Sequence, residues 1–195
     1  MTNVKNVNVE NTEKKEFMIK NNILVEYLGD EENVIIPDNV VSIGREAFSY
    51  HSNLKNVTIP NTVTSIESGA FRYCSELNNV TIPDSVTYIG AGVFFGCSNL
   101  SNIIIPDSVV CMDKMAFYKC LSLINIAIPN NITSIHEGMF YGCKNLKNVT
   151  MPDGITSIGE GAFEGCTSLA SVTIPDSVNH IGLNAFPEGC EITRK

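Results

Sequence analysis

The cysteines are the residues of this chain whose type and spacing are best suited to chemistry. Five of the seven recur at a constant interval of 23 residues, at Cys74, Cys97, Cys120, Cys143 and Cys166. A zinc site needs cysteines that converge from spacings such as C-x-x-C, and none occurs here. Cysteines at one repeat position point in the same direction, which disfavours disulfides between neighbours. The spacing therefore predicts a column of buried free thiols that pack as small hydrophobic groups.

Acidic and histidine side chains are the other candidates for chemistry. One repeat position holds Asp or Asn, at Asp38, Asn61, Asp84, Asp107, Asn130, Asp153 and Asp176. Calcium requires about six to eight converging oxygens, and single carboxylates in a line do not converge, so we interpret this column as turn residues. His51, His136 and His180 occupy three different repeat positions, and no Ser/His/Asp or Cys/His arrangement recurs. The sequence therefore predicts no enzyme, no metal site and no cofactor.

The same interval governs the residues that must position these side chains. Proline recurs at Pro37, Pro60, Pro83, Pro106, Pro129, Pro152 and Pro175, and phenylalanine at Phe48, Phe71, Phe94, Phe117, Phe140, Phe163 and Phe186. A fixed period in the twenties is typical of a solenoid of stacked supersecondary units. A unit this short cannot bury its own apolar side chains, so each unit needs both neighbours.

Each unit has a recognisable internal order. The pattern L-x-x-V-x-I-P predicts a short strand with Val57 and Ile59 facing inward, ended by a proline that cannot donate to the ladder. A turn and a second short apolar run, residues 63–66, follow. The segment Ser-Gly-Ala-Phe-Arg-Tyr-Cys is then predicted to form one helical turn that directs Phe71 and Cys74 to the core. The predicted fold is a repeat solenoid with short parallel strands and one helical turn per 23-residue unit.

The chain is predicted to divide into four segments. Residues 1–16 are polar and aperiodic, which predicts a disordered tail. Residues 17–36 contain short β-type runs separated by Asn21-Asn22 and a Gly-Asp turn, which predicts a β-hairpin that caps the stack. Residues 37–190 form the solenoid, and residues 191–195 are expected to be a C-terminal tail.

Composition excludes several classes of partner. The net charge of −8 and pI near 4.8 argue against nucleic acid and against anionic membrane surfaces, because both require clustered Lys and Arg. No apolar run is long enough to insert into a membrane, and no signal peptide is visible at the N-terminus. Either the protein stays inside the cell, or the chain is a mature fragment that has lost its leader.

The repeated unit resembles the BspA-like branch of the leucine-rich-repeat family. The residues that carry the resemblance are Leu146, Val149, Pro152, Ile155, Thr156, Ile158, Gly159, Ala162, Phe163, Cys166 and their counterparts in other units. The resemblance implies a right-handed β/α superhelix with a parallel sheet on one face. It also implies binding of proteins or host matrix at a bacterial or protist cell surface, with no shared catalytic residues.

Departures from the repeat on the predicted sheet suggest where a partner could bind. The outward asparagines, from Asn56 to Asn148, are predicted to hydrogen-bond from unit to unit. The neighbouring column holds threonine in most units but Ile104 and Ala127 in the two central units, and Ile124 lies nearby. These three residues are predicted to form a small apolar patch for a partner. Drift in a tolerant column is the alternative.

A second departure lies on the turn side of the units. Phe95, Tyr118 and Tyr141 occupy one repeat position in three consecutive units. At one unit per roughly 5 Å, the rings would form an aromatic stripe suited to contact with protein or carbohydrate. Half-buried packing over the helical turns is the alternative.

These observations predict a non-catalytic module for protein–protein interaction, monomeric and adhesin-like, with an unidentified protein as partner. The alternatives are a structural spacer within a larger surface protein, and carbohydrate binding through the aromatic stripe. The resemblance suggests a cell-surface or secreted location.

Overall fold

The protein is a stack of short coils, described by a computed structural model over residues 16–195. Residues 1–15, most of the predicted disordered tail, lie outside the described residues. The regular elements between residues 16 and 195 are all strands: β1 (Phe17–Lys20), β2 (Ile23–Tyr27), β3 (Asn33–Ile35), β4 (Ser42–Ile43), β5 (Asn56–Thr58), β6 (Ser65–Ile66), β7 (Asn79–Thr81), β8 (Tyr88–Ile89), β9 (Cys111–Met112), β10 (Asn125–Ala127), β11 (Ser134–Ile135), β12 (Asn148–Thr150), β13 (Ser157–Ile158), β14 (Ser171–Ile174), β15 (His180–Ile181) and β16 (Glu191–Arg194).

The first strand of each coil builds the main sheet of the solenoid. β3, β5 and β7 pair in parallel, with Asn33 opposite Asn56 and Asn56 opposite Asn79, so the register equals one repeat. β10 pairs with β12 in the same way. Since successive side chains alternate across a strand, Val57 is buried while Thr58 is exposed. The repeat period thus becomes columns of identical side chains, as the sequence predicts for a solenoid.

The second apolar run of each coil forms strands of two residues. β4, β6, β8 and β9 are parallel neighbours, as are β11, β13 and β15. The second residue is a buried isoleucine in most of these strands, a buried Met112 in β9 and an exposed Ile181 in β15. Ser42 Oγ lies 2.8 Å from Ser65 Oγ of the next coil. The parallel pairing of these strands keeps neighbouring coils in register.

An antiparallel hairpin of β1 and β2 covers the first coil. Asn21 and Asn22 adopt the positive φ values (52° and 62°) of its tight turn, which asparagine tolerates. β2 also pairs in parallel with β4, and the Tyr27 ring packs 5.1 Å from the Phe48 ring. β3 belongs to the main sheet, so the hairpin occupies only the first part of the predicted cap, residues 17–36.

The predicted helical turn is wrong, because no helix occurs anywhere in residues 16–195. In the second coil, Ala70, Arg72 and Cys74 donate their N–H groups three residues back. The alternate amides of Gly69, Phe71 and Tyr73 donate instead to carbonyls of the next coil, at 2.7–2.9 Å. Gly69 and Tyr73 have φ values of 69° and 58°, which an α-helix cannot contain. The segment is therefore a series of linked turns hydrogen-bonded to its neighbour.

The predicted C-terminal tail, residues 191–195, carries a strand. β16 pairs in parallel with β14 over four residues, and Glu191 N donates to Ala170 O at 2.9 Å. The expectation of a tail is wrong here because β14 would otherwise leave a row of unpaired backbone groups, which the segment Glu-Ile-Thr-Arg satisfies.

Stacked phenylalanines and cysteines form the centre of the core. Phe48 to Phe186 make a continuous ladder with ring centroids 5.1–5.6 Å apart. All five repeated cysteines are buried free thiols, which confirms the predicted column. Each Sγ donates to the carbonyl of the phenylalanine 26 residues earlier, at 3.0–3.1 Å. The thiols therefore satisfy polar groups in an otherwise apolar interior.

The five buried cysteines should react with a thiol reagent much more slowly than the other two cysteines. Burial raises the pKa of the Cys74 thiol to about 12 and raises the pKa of Cys97 well above its ordinary value, so the reactive thiolate is scarce. Cys111 is exposed and Cys190 is half-buried. At pH 8 a chromogenic thiol reagent should label two cysteines in the folded protein and all seven in denaturant. Rapid labelling of more than two in the folded protein would contradict the buried column.

Candidate functional site

The outer face of the main sheet carries a ladder of asparagine side chains. Asn79 Nδ2 donates to Asn56 Oδ1 at 3.0 Å, and Asn148 Nδ2 donates to Asn125 Oδ1 at 2.6 Å. These amides satisfy one another across coils, so their first role is structural. The predicted ladder is interrupted in the fourth coil, where Asn102 Nδ2 donates to Ser101 Oγ instead, at 3.3 Å.

The main sheet is also interrupted in that coil. Residues 101–105 lie between β7 and β10 in the chain order of coils, yet they form no strand. Ile124 N donates to Ser101 O at 3.2 Å, which ties the start of the segment to the fifth coil. A second interruption separates β12 from β14, but both of those segments are strands. The fourth coil is thus the place where the sheet lacks a strand.

A cleft opens where the strand is missing. It has a volume of about 270 Å³ and a mainly apolar lining, formed by Val80, Ile82, Ile103 and Ile104 together with Asn79, Thr81 and Asn102. Ile104 is 84% exposed, more than the other exposed large apolar side chains of residues 16–195. Pockets for small ligands usually occupy about 300–1,000 Å³, so this cleft suits an inserted side chain better than a cofactor.

All three residues of the predicted sheet patch are exposed, and two of them share one outward column. Ile104 and Ala127 are exposed and lie one repeat apart in the same outward column. Ile124 is 38% exposed, and its backbone N–H donates to the carbonyl of Ser101, the first residue of the segment 101–105. The sequence did not indicate Val80 and Ile82 as cleft residues, because in a regular coil their positions face the core.

The three aromatic residues of the predicted stripe are in contact. The Tyr118 ring stacks on Phe95 at 4.5 Å and on Tyr141 at 4.7 Å between centroids, with an interplanar angle of 6° in both pairs. All three side chains are half-buried. Since each ring covers the face of the next, the stripe presents ring edges to solvent.

The stripe extends further than the repeat position of Phe95 indicates. Tyr73 packs edge-on against Phe95 at 5.3 Å, and Tyr50 stacks on Tyr73 at 5.0 Å. Tyr73 occupies the next repeat position and reaches across Gly96, where an added Cβ would lie 2.5 Å from its ring. Gly96 also has a φ of 73°, so glycine is required there for two reasons. This glycine is the sequence signal for the longer stripe.

The acidic column participates in turns. Asn130 donates its backbone N–H and its side-chain Nδ2 to the Asp107 carboxylate, both at 2.9 Å. These two hydrogen bonds hold the pKa of Asp107 below its ordinary value. Within residues 16–195, no group of three or more His, Cys, Asp or Glu residues could hold a metal ion. In the same range no helix is long and apolar enough to cross a membrane.

Parallel strands, inward Leu/Val/Ile columns and a 23-residue register define a solenoid of the leucine-rich-repeat class. The model for the BspA type leucine rich repeat region matches six copies of its unit, over residues 18–109 and 64–193. The chain therefore belongs to the BspA-type leucine-rich-repeat family. None of the curated proteins matches it.

Solved structures of bacterial repeat proteins share the fold. A leucine rich cell surface protein from Faecalibacterium prausnitzii is 38% identical, with a TM-score of 0.82, and the match covers 91% of this chain and 52% of that one. A leucine-rich repeat protein of T. pallidum is 27% identical over 93% of this chain and 85% of its own, with a TM-score of 0.76. One from Eubacterium ventriosum is 28% identical over 90% and 48%, with a TM-score of 0.72. The chain spans about half the length of the Faecalibacterium protein.

Proposed function

We propose that the chain is a non-catalytic module that binds a protein partner through the interrupted part of its main sheet. The observation that carries this proposal is the exposed Ile104 beside the apolar cleft between the third and fourth coils. Exposed apolar surface next to an apolar cavity is the arrangement in which an interface anchor gains most from burial. The similarity to a cell surface protein supports a location at the bacterial surface.

The absence of charge on this face supports a specific contact. The two outward columns of the sheet between Asn56 and Thr173 contain Asn, Thr, Ser, Ile and Ala but no charged residue. The chain carries a net charge of −8, which otherwise keeps its surfaces well solvated. Cores of interfaces are depleted in charged residues, so this face is the best candidate for an interface core.

Binding should depend on Ile104 and not on general surface apolarity. Ile104→Glu is expected to weaken binding about 30-fold, as loss of an interface hot spot of about 2 kcal/mol would do. Ile35 offers a matched control, because it lies in the same outward column, is 74% exposed and does not line the cleft. Ile35→Glu should leave the affinity unchanged. Biolayer interferometry of the immobilised chain against purified extracellular-matrix and serum proteins measures both variants.

The same experiment tests the spacer alternative. If none of the proteins binds in a way that Ile104→Glu weakens, the patch has no role in recognition and the chain is better explained as a spacer. Equal loss of binding in the Ile104 and Ile35 variants would show that the contact does not use the cleft.

A further inference from the structure

Arg72 occupies an unusual position at one end of the aromatic stripe. Its guanidinium carbon lies 4.5 Å from the centroid of the Phe95 ring and 5.1 Å from that of Tyr73. Stacking on two rings fixes the plane of the guanidinium, and aromatic faces favour a cation in this position. The side chain is half-buried, so its position is determined before any ligand arrives.

This arginine has no acceptor in the part of the chain that the structure describes. Its Nε is buried without a hydrogen-bond partner. The ion pairs found within residues 16–195 join Arg45 to Glu46, Lys55 to Glu32 and Lys195 to Asp153, and none includes Arg72. A guanidinium normally directs its five N–H donors at carboxylates, phosphates or carbonyls. An oriented guanidinium without acceptors is suited to receive them from a ligand.

Two further cations line the same cleft. The cleft has a volume of about 310 Å³, and its wall includes Arg45, Arg72 and Lys114 together with Glu46. Glu46 is only loosely paired with Arg45, at 3.8 Å between Oε1 and Nε. Three positive side chains and one negative one leave the lining with a charge of +2, in a chain whose net charge is −8. The cleft is therefore a local positive site on an acidic protein.

Two glycines with a left-handed backbone also line the cleft. They are Gly69 and Gly92, which adopt positive φ values of 69° and 61°. A volume of about 310 Å³ lies at the lower end of the range for small-molecule sites. The space is sufficient for a tetrahedral anion with a small substituent, against the apolar wall of Phe95 and Met115.

We propose that this cleft binds a phosphomonoester group, with Arg72 as the oriented donor and with Arg45 and Lys114 neutralising its charge. A phosphomonoester carries about −1.5 to −2 charges at neutral pH, which matches the lining, and its oxygens match the planar fork of arginine. The site uses the turn side of the first four coils and does not involve Ile104. It is therefore independent of the protein-binding role proposed for the sheet.

Methyl phosphate and dimethyl phosphate are the probes that test the assignment, because they have similar shapes and differ in charge. Titrated at pH 8 and constant ionic strength, methyl phosphate should shift the backbone amide resonances of Gly69 and Gly92 saturably. The dissociation constant should be on the order of 1 mM, as for a small anion held by partly exposed cations. Dimethyl phosphate should bind at least about 10-fold more weakly, since it carries one charge.

Variants with equal charge changes separate the site from general electrostatics. Arg72→Gln should weaken methyl phosphate binding about 10-fold or more, the usual effect of losing a hydrogen bond to a charged group. Lys144→Gln removes one positive charge outside the cleft and should leave the affinity unchanged. The position of Arg72 tolerates polar residues, since Ser49 and Glu164 occupy it in other coils. Shifts that do not saturate by about 50 mM, equal binding of the two probes, or equal effects of the two substitutions would each overturn the proposal.

Discussion

Phe117→Ala is expected to lower the free energy of unfolding by about 3–5 kcal/mol, the range for removing a large aromatic side chain from a close-packed core. Phe117 is fully buried, and its ring lies 5.4 Å from both Phe94 and Phe140. The cavity would be bounded by backbones that are hydrogen-bonded from coil to coil, so it cannot collapse easily. Urea denaturation followed by circular dichroism measures the loss.

Phe186→Ala is the matched control for this experiment. Phe186 ends the ladder, is only partly buried and stacks on a single ring, Phe163, at 5.4 Å. Its replacement should cost less than about 2 kcal/mol, because part of the side chain already contacts water. Similar losses at the two positions would show that the ladder does not act through contacts on both sides of each ring.

The ladder illustrates what the sequence could predict about this fold. Phenylalanine, cysteine and leucine return at fixed repeat positions, and an inward column needs the same size and polarity in every coil. The burial of Phe117 and Cys120 could therefore be predicted from the period alone. A single short apolar run could be a strand or part of a buried helix, but its repetition at a fixed period shows which residues face the core.

The turn segment illustrates what the sequence could not predict. Positive φ values occur there at glycines such as Gly92, but also at Glu46, Tyr73, Met115 and Lys119. These residue types do not mark a left-handed backbone, and Ser-Gly-Ala-Phe-Arg-Tyr-Cys is compatible with one helical turn by local propensity. Hydrogen bonds to the next coil decide the conformation, and they are a property of the stack.

Some features of the candidate sites could likewise be predicted from the sequence, and others could not. The exposure of Ile104 follows from its place in an outward column, and the contact among Phe95, Tyr118 and Tyr141 follows from their common position. The cleft beside Ile104 depends on the missing strand of the fourth coil. No residue type in that coil indicates that the strand would be absent. The site around Arg72 joins residues from four coils, so only the stacked structure brings them together.

The buried thiols predict a second large effect, a steep loss of stability in alkaline solution. Burial raises the pKa values of Cys74, Cys97, Cys120 and Cys143 well above the ordinary value of 9.0. These thiols keep their protons in the folded protein, whereas the unfolded chain releases them once the pH exceeds about 9. Proton release then favours unfolding. The stabilisation is complete below pH 9 and declines as the pH rises toward the folded pKa values.

The expected decline is large because the four thiols act together. Each contributes about 1.4 kcal/mol per pH unit above the unfolded pKa, so together they lower the unfolding free energy by about 5.5 kcal/mol per pH unit. Urea denaturation in the presence of a reductant, at intervals from about pH 8 to pH 10.5, measures this slope. Cys120→Ala should reduce the slope by about a quarter, whatever it does to stability at neutral pH, whereas Cys111→Ala should reduce it much less because Cys111 is exposed. An unchanged slope in the Cys120 variant would mean that the folded column releases its protons as readily as the unfolded chain does.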